Sequence, residues 1–291
     1  MSIYAIADDL SGAAETAAVL AGTWAASAHN AQPLPATTPT ILDLYSADDV
    51  IVEGPPSGSG QPATLVVDST NRHLPGAEAA GRMRGLLAAR PQGSDVFLKF
   101  DSLLRGNLDT ELVAAMGAGP VAFCPALPEL GRTVRDGVLE IRGIPLHRTD
   151  LWQAEPTEPG HSVTARLAAA SPAVVPLATV RGGDLQQALS SITVAGRLAV
   201  CDAETDADLD RIAAAALGRN IILAGASALA AAMRRSRAAT SDVAQSDAPR
   251  PPPRRSGNPR AVHPRHRKPV NARPAGRAGT GWPAGPPRAA R

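Results

Sequence analysis

Short apolar runs recur along the chain, each ending in a polar turn and followed by residues spaced for a helix. Ile3–Ala7 leads into Asp8-Asp9-Leu10-Ser11-Gly12 and a helix over Ala13–Ala21. Thr64–Val67 ends in Asp68-Ser69-Thr70-Asn71-Arg72 ahead of a helix over Ala77–Ala89. Val96–Leu98 delivers Lys99, Asp101, Ser102 and Arg105 before a helix over Leu108–Met116. Ile41–Leu44 and Val50–Val52 are weaker strand candidates among the loop-like stretches Asn30–Thr40 and Glu53–Pro62.

Val121–Cys124 opens a loop over Pro125–Gly137, and Val138–Ile141 with Ile144–Leu146 flank Arg142-Gly143 as a hairpin. After a linker-like stretch over Glu155–His161, helix and strand alternate three times. The pairs are Val163–Ala170 with Val174–Leu177, Asp184–Ile192 with Leu198–Cys201, and Asp206–Leu217 with Ile221–Ala224. Gly225-Ala226-Ser227 then opens a helix over Ala228–Arg235, a turn able to take an anion. In the acidic turn Asp202–Asp206, helix capping by Asp206 suffices as an explanation. Strands alternating with helices specify an α/β fold, a Rossmann-like three-layer domain with a mostly parallel sheet over 1–237.

Charge divides the chain unevenly. The net charge of +2 hides a segment from Pro249 onward with 11 Lys/Arg, no Asp or Glu, and 11 of the 27 prolines. The first 248 residues then carry 18 basic and 27 acidic side chains, a net of −9. From about Ala238 no apolar face remains, so 238–291 is expected to be a disordered basic tail. GC-rich coding sequence read in a shifted frame gives this Arg, Pro, Gly and Ala composition. The other reading of the tail is nucleic-acid binding, the less expected of the two.

No run of about 18 apolar residues indicates a membrane span. The acidic N-terminus lacks the basic leader of a signal peptide. Cys124 and Cys201 read as buried free thiols, and with no Cys/His cluster no metal site is expected; the location is expected to be cytoplasmic.

Ligands of open α/β sheets lie at the carboxyl ends of the strands, and three apolar runs end there in Asp-bearing turns. Asp8 and Asp9 could accept a hydroxyl proton or hold Mg²⁺, or Asp9 or Ser11 could simply cap a helix. Two cations, a carboxylate and a hydroxyl within Lys99–Arg105 suit a small polyhydroxylated acid or a phosphate; a loop salt bridge with a helix cap is the plainer alternative.

These motifs resemble those of the four-carbon acid sugar kinase family. The resemblance is carried by Ala7–Ala13 (A-D-D-L-S-G-A), Val67–Arg72 (V-D-S-T-N-R) and Lys99–Asn107. The last reads K-F-D-S-L-L-R-G-N against the family's K-x-D-S-T-L-R-G-N, with Leu103 in place of Thr; Glu15-Thr16 stands where the family favours Asp-Thr. Pro125–Thr133, Gly143–His147, Asp202–Asp206 and Ala224–Ala230 follow in the family's order.

The resemblance implies ATP-dependent phosphorylation of a hydroxyl on threonate, erythronate or a 3-oxo-tetronate, with ATP and Mg²⁺ as cofactors. It implies Asp101 or Asp9 as the proton acceptor. Asp8, Asp68, Arg72, Lys99, Ser102, Arg105 and Arg132 would be substrate ligands, Arg105 or Arg132 gripping the carboxylate and Lys99 serving as a point charge. The family's second, ATP-binding domain is expected to be missing, the Pro/Arg stretch standing where the resemblance would have it begin. A truncated or frameshifted chain, inactive alone, is therefore expected, with a separate ATP-domain chain or a homo-oligomer as possible partners. The alternative is a non-enzymatic sugar-acid binder with a basic tail that contacts nucleic acid. A dinucleotide oxidoreductase is disfavoured because no G-x-G-x-x-G follows the first strand.

Overall fold

The computed structural model describes residues 2–22, 42–46, 64–153, 155 and 158–246. The chain divides into two units, Met1–Ala248 and Pro249–Arg291. The second unit, the strand expected at Val50–Val52 and the loops over 30–40 and 53–62 lie outside the described residues.

The strands of the main sheet are β1 (Ile3–Ala7), β2 (Leu42–Ser46), β3 (Thr64–Asp68), β4 (Asp95–Lys99), β5 (Val121–Cys124), β9 (Ala173–Val175), β10 (Ala199–Cys201) and β11 (Ile222–Gly225). Their order is β2-β3-β1-β4-β11-β5-β10-β9, and every pairing is parallel. The helices are α1 (Leu10–Ala21), α2 (Gly76–Ala88), α3 (Leu108–Met116), α4 (Val163–Arg166), α5 (Leu177–Arg181), α6 (Leu185–Val194), α7 (Asp206–Ala216) and α8 (Ser227–Ser246). Every residue of β1 and of β3 is buried, as both faces of a parallel sheet are covered. That is why these strands read as unbroken apolar runs.

The crossovers place the site. From β1 the chain moves toward β2 and β3; from β4 it moves the other way, toward β5. Right-handed connections put helices of opposite travel on opposite faces: α1 packs with α8, and α8 with α7, on one, α2 with α3 on the other. The reversal leaves a crevice at the carboxyl ends of β1 and β4, where the Asp8-Asp9 and Lys99–Arg105 turns emerge.

Most expected elements are present, with instructive differences. The loop expected over Pro125–Gly137 contains β6 (Arg132–Arg135), which pairs antiparallel with β7 (Val138–Ile141); β7 pairs in turn with β8 (Ile144–Pro145). Val134 is the only buried side chain of β6, so the strand carries no apolar run to be read. The helix expected over Val163–Ala170 is α4 plus a separate turn at Ala168–Ala170, and Leu177 begins α5 instead of ending a strand. The cap of α7 is Thr205, in a reciprocal capping box with Asp208, and Asp206 sits in the first turn. Helix α8 continues to Ser246, past the boundary expected at Arg237. Both cysteines are buried free thiols, that of Cys124 pushed up to about 12 by burial.

Candidate functional site

Asp101 organises the central loop. Arg105 donates to it through Nε (2.8 Å to Oδ2) and Nη2 (2.8 Å to Oδ1), and the backbone amides of Leu103 and Arg105 donate to Oδ2 at 3.1 and 3.2 Å. These bonds hold Leu104 at φ 64°, a left-handed backbone that a leucine adopts only when its surroundings enforce it. Trp152 Nε1 pins the Leu103 carbonyl from outside, at 2.8 Å. Burial works to raise the Asp101 pKa, yet the bonds and charge of Arg105 outweigh it and hold the carboxyl below its ordinary value.

The turn after β1 is tied to the turn after β3. Asp9 caps α1, accepting from Gly12 N at 2.6 Å and from Ser11 Oγ at 3.0 Å. Arg72 bridges both acids: Nε and Nη2 lie 3.0 and 2.8 Å from Asp8 Oδ2, and Nη1 lies 2.8 Å from Asp9 Oδ2. Asp8 is only 2% exposed, and burial pushes it up to about 6 against the pull of Arg72. Gly106, at φ 82°, lets the central loop pass beside Arg72 and Asp8; a Cβ there would meet Arg72 Cγ at 3.5 Å.

Lys99 is buried and reaches Glu15 Oε2 and the Phe100 carbonyl, each at 3.2 Å. Arg132, at the start of β6, donates to Ser102 Oγ. Burial holds the Arg132 pKa below the ordinary arginine value. Asp202, fully buried, accepts from the amides of Asp136 and Gly137 at 2.8 and 2.9 Å and anchors the β6–β7 turn to the end of β10. At Gly225 a Cβ would lie 2.0 Å from the Cys124 carbonyl oxygen, so only glycine allows β11 this close to β5.

These groups enclose a cleft of about 330 Å³ lined by Asp9, Arg72, Lys99, Asp101, Ser102, Arg105 and Arg132, together with Ser11-Gly12, Glu15, Leu127, Leu130 and Ala226-Ser227. The amino ends of α1 and α8 open onto it, which favours negative charge there. A neighbouring cavity of about 550 Å³ shares Asp9, Arg72 and Arg105 and adds His73, Asn107, Asp109, Glu155 and Arg166. Two of the expected ligands stand apart from this lining. Asp8 lies behind Arg72, and Asp68 accepts from the Thr70 amide at 2.9 Å in a local turn.

Sequence reading missed Glu15 and Leu130 as wall residues because each belongs to an element read for its own sake. Arg166 carried no motif at all. Among the described residues no three His, Cys, Asp or Glu side chains gather to hold a metal, and no helix is long and apolar enough to cross a membrane. The lining does not match ATP with Mg²⁺ either: its carboxylates already answer to Arg72, Lys99 and Arg105, and its turns lack a glycine-rich phosphate loop.

Comparison with known proteins places the chain in a family. The chain is 35% identical over 224 residues to a D-threonate kinase of Cupriavidus necator, covering 74% of this chain and 49% of that one. It is 33% identical over 242 residues to a D-threonate kinase of Bordetella bronchiseptica, covering 79% and 54%. The chain thus spans about half the length of the curated relatives it matches. A solved structure from Bordetella bronchiseptica, a domain of unknown function with bound citrate in a domain-swapped dimer, aligns with TM-score 0.62 at 28% identity, covering 82% and 58%. A Haemophilus influenzae protein shares the fold, with TM-score 0.63 at 21% identity over 81% and 56%. Residues 3–233 match the model of the sugar-binding N-terminal domain, and with these relatives the chain belongs to the four-carbon acid sugar kinase family through that domain.

Proposed function

We propose that the 330 Å³ cleft receives the acceptor of a sugar-acid kinase, a four-carbon acid such as D-threonate, with its carboxylate on Arg132. One observation carries the choice of arginine. Of the cations lining the cleft, Arg72 is paired with Asp8 and Asp9, Lys99 with Glu15, and Arg105 with Asp101. Arg132 alone has no carboxylate partner among the described residues. A half-buried guanidinium bonded only to a hydroxyl is available to a planar anion in a two-point contact. Ser102, bonded to the same guanidinium, and Lys99 stand beside it to orient substrate hydroxyls.

Asp101 serves as a scaffold for Arg105, both its oxygens being engaged by that guanidinium and Oδ2 also by two backbone amides. Asp9, which faces both cavities, is the better placed carboxylate to take the acceptor hydroxyl's proton. The kinase relatives support ATP as donor with Mg²⁺, and no step here is routed through them. A donor site would come from residues outside this cleft or from another chain. Citrate in a structural neighbour is consistent with a carboxylate-accepting domain, and the swapped dimer of that neighbour with self-association.

Calorimetric titration of D-threonate tests the reading. The chain should bind, and Arg132→Ala should weaken binding about 100-fold with unchanged circular dichroism, an effect equivalent to about 2.7 kcal/mol. Equal affinity in the variant would remove Arg132 from the site.

A further inference from the structure

Beneath the Arg72 wall lies a buried acid that the cleft does not use. Glu111, on α3, is fully buried, and its Oε1 accepts from Asn71 Nδ2 at 2.5 Å. Asn71 is fully buried as well and donates a second bond to the Ala79 carbonyl at 3.2 Å. Two polar atoms of this pair, Glu111 Oε2 and Asn71 Oδ1, are buried without a hydrogen-bond partner. Buried orphans are rare and require a cause. A proton on Oε2 would make that atom a donor, and Asn71 Oδ1 is an acceptor that lacks one.

We infer that Glu111 is a positioning residue working as a neutral carboxylic acid. It closes an acid–amide ring with Asn71 that sets the following residue, Arg72, between Asp8 and Asp9. The chain of contacts is short. Asn71 opens the tight turn Asn71–His73 behind Thr70, itself at φ 53°, and its carbonyl accepts from Asn107 Nδ2 at 2.8 Å. The Arg72 amide then donates to the Asp8 carbonyl at 3.0 Å, and its guanidinium reaches both acids.

The surroundings favour the neutral form. Burial is the main cause pushing Glu111 up to about 8; the Asn71 bond opposes it, and the charged groups facing it are Asp8, Arg72 and Asp109. Two of those three are anions, which an ionised Glu111 would add to. The assignment of Arg72 to a sugar-acid cleft rests on the function proposed above, whereas the acid–amide ring is inferred from the Asn71–Glu111 bond and the two unpartnered oxygens.

The test is a pH titration of the whole chain by NMR of its glutamate side-chain carbons. Glu111, assigned by its loss in Glu111→Gln, should remain protonated at neutral pH; titration in the ordinary glutamate range would overturn the proposal. Glu111→Gln offers the same donor and acceptor, so it should keep the protected Arg72 Nε–H resonance, which Glu111→Ala should lose. Equal loss in both variants would also overturn it. Since the folded state raises the pKa, stability relative to Glu111→Gln should fall as pH rises from about 4.5 to about 8, then level off. D-threonate affinity should weaken over the upper part of that range in the parent and stay level in Glu111→Gln. A protonated Glu111 in a chain that binds no D-threonate at any pH would uphold the ring and sink the sugar-acid reading.

Discussion

The two walls of the cleft carry similar residue types in opposite electrostatic states. On the wall made by the turns after β1, β3 and β4, Arg72 and Arg105 are each locked onto aspartates, and the loop at Leu104 is held by the same bonds. On the wall made by β6, Arg132 has only the Ser102 hydroxyl. On the first wall both arginines are paired within the protein; on the second, Arg132 has no carboxylate within ion-pair distance among the described residues, and the proposed function gives that cation to the substrate. An arginine in a motif therefore says that a cation is present, and its partners decide whether it is free to bind.

This contrast can be broken from either side. The largest stability effect is expected for Asp101→Ala, which strands Arg105 and frees the Leu104 backbone. A loss of about 3 kcal/mol by urea unfolding is expected, and a loss under 1 kcal/mol would show the loop is held by Trp152 instead. Arg132→Ala should leave the unfolding midpoint within about 0.5 kcal/mol of the parent while removing most D-threonate affinity, the reverse pattern.

Arg72→Ala sharpens the comparison through pH. Without the guanidinium the buried Asp8 should titrate above its present value of about 6, so its ionisation opposes folding over a wider range. A raised folded-state pKa means stability is lost as pH rises, so the melting-temperature gap to the parent should widen between pH 5 and pH 7.5. A constant gap would show that Asp8 does not depend on Arg72. The smallest effect is expected outside the cleft lining, at Thr205→Ala, where losing the capping box of α7 should cost about 1 kcal/mol and leave ligand affinity unchanged.

Much of the fold was legible because burial and period coincide. The runs Ile3–Ala7, Thr64–Val67 and Val121–Cys124 are buried on both faces, so apolarity alone marks them. Strand β6 was not legible, since three of its four residues are polar and its pairing with β7 decides its state. The turns that gather at the cleft were found from their strand-end positions, and seven of the named residues line it. Asp8 and Asp68 were named with equal weight and turned out to sit behind or beside that lining.

The sequence by itself determined the α/β class, the strand-end turns and the set of charged residues, because these depend on local period and composition. Only the tertiary structure decided which of those charges cancel. Pairing Asp8 with Arg72 joins residues 64 positions apart, and bringing Arg132 to Ser102 spans 30. Such contacts follow from strand order and crossover direction, which no local pattern encodes.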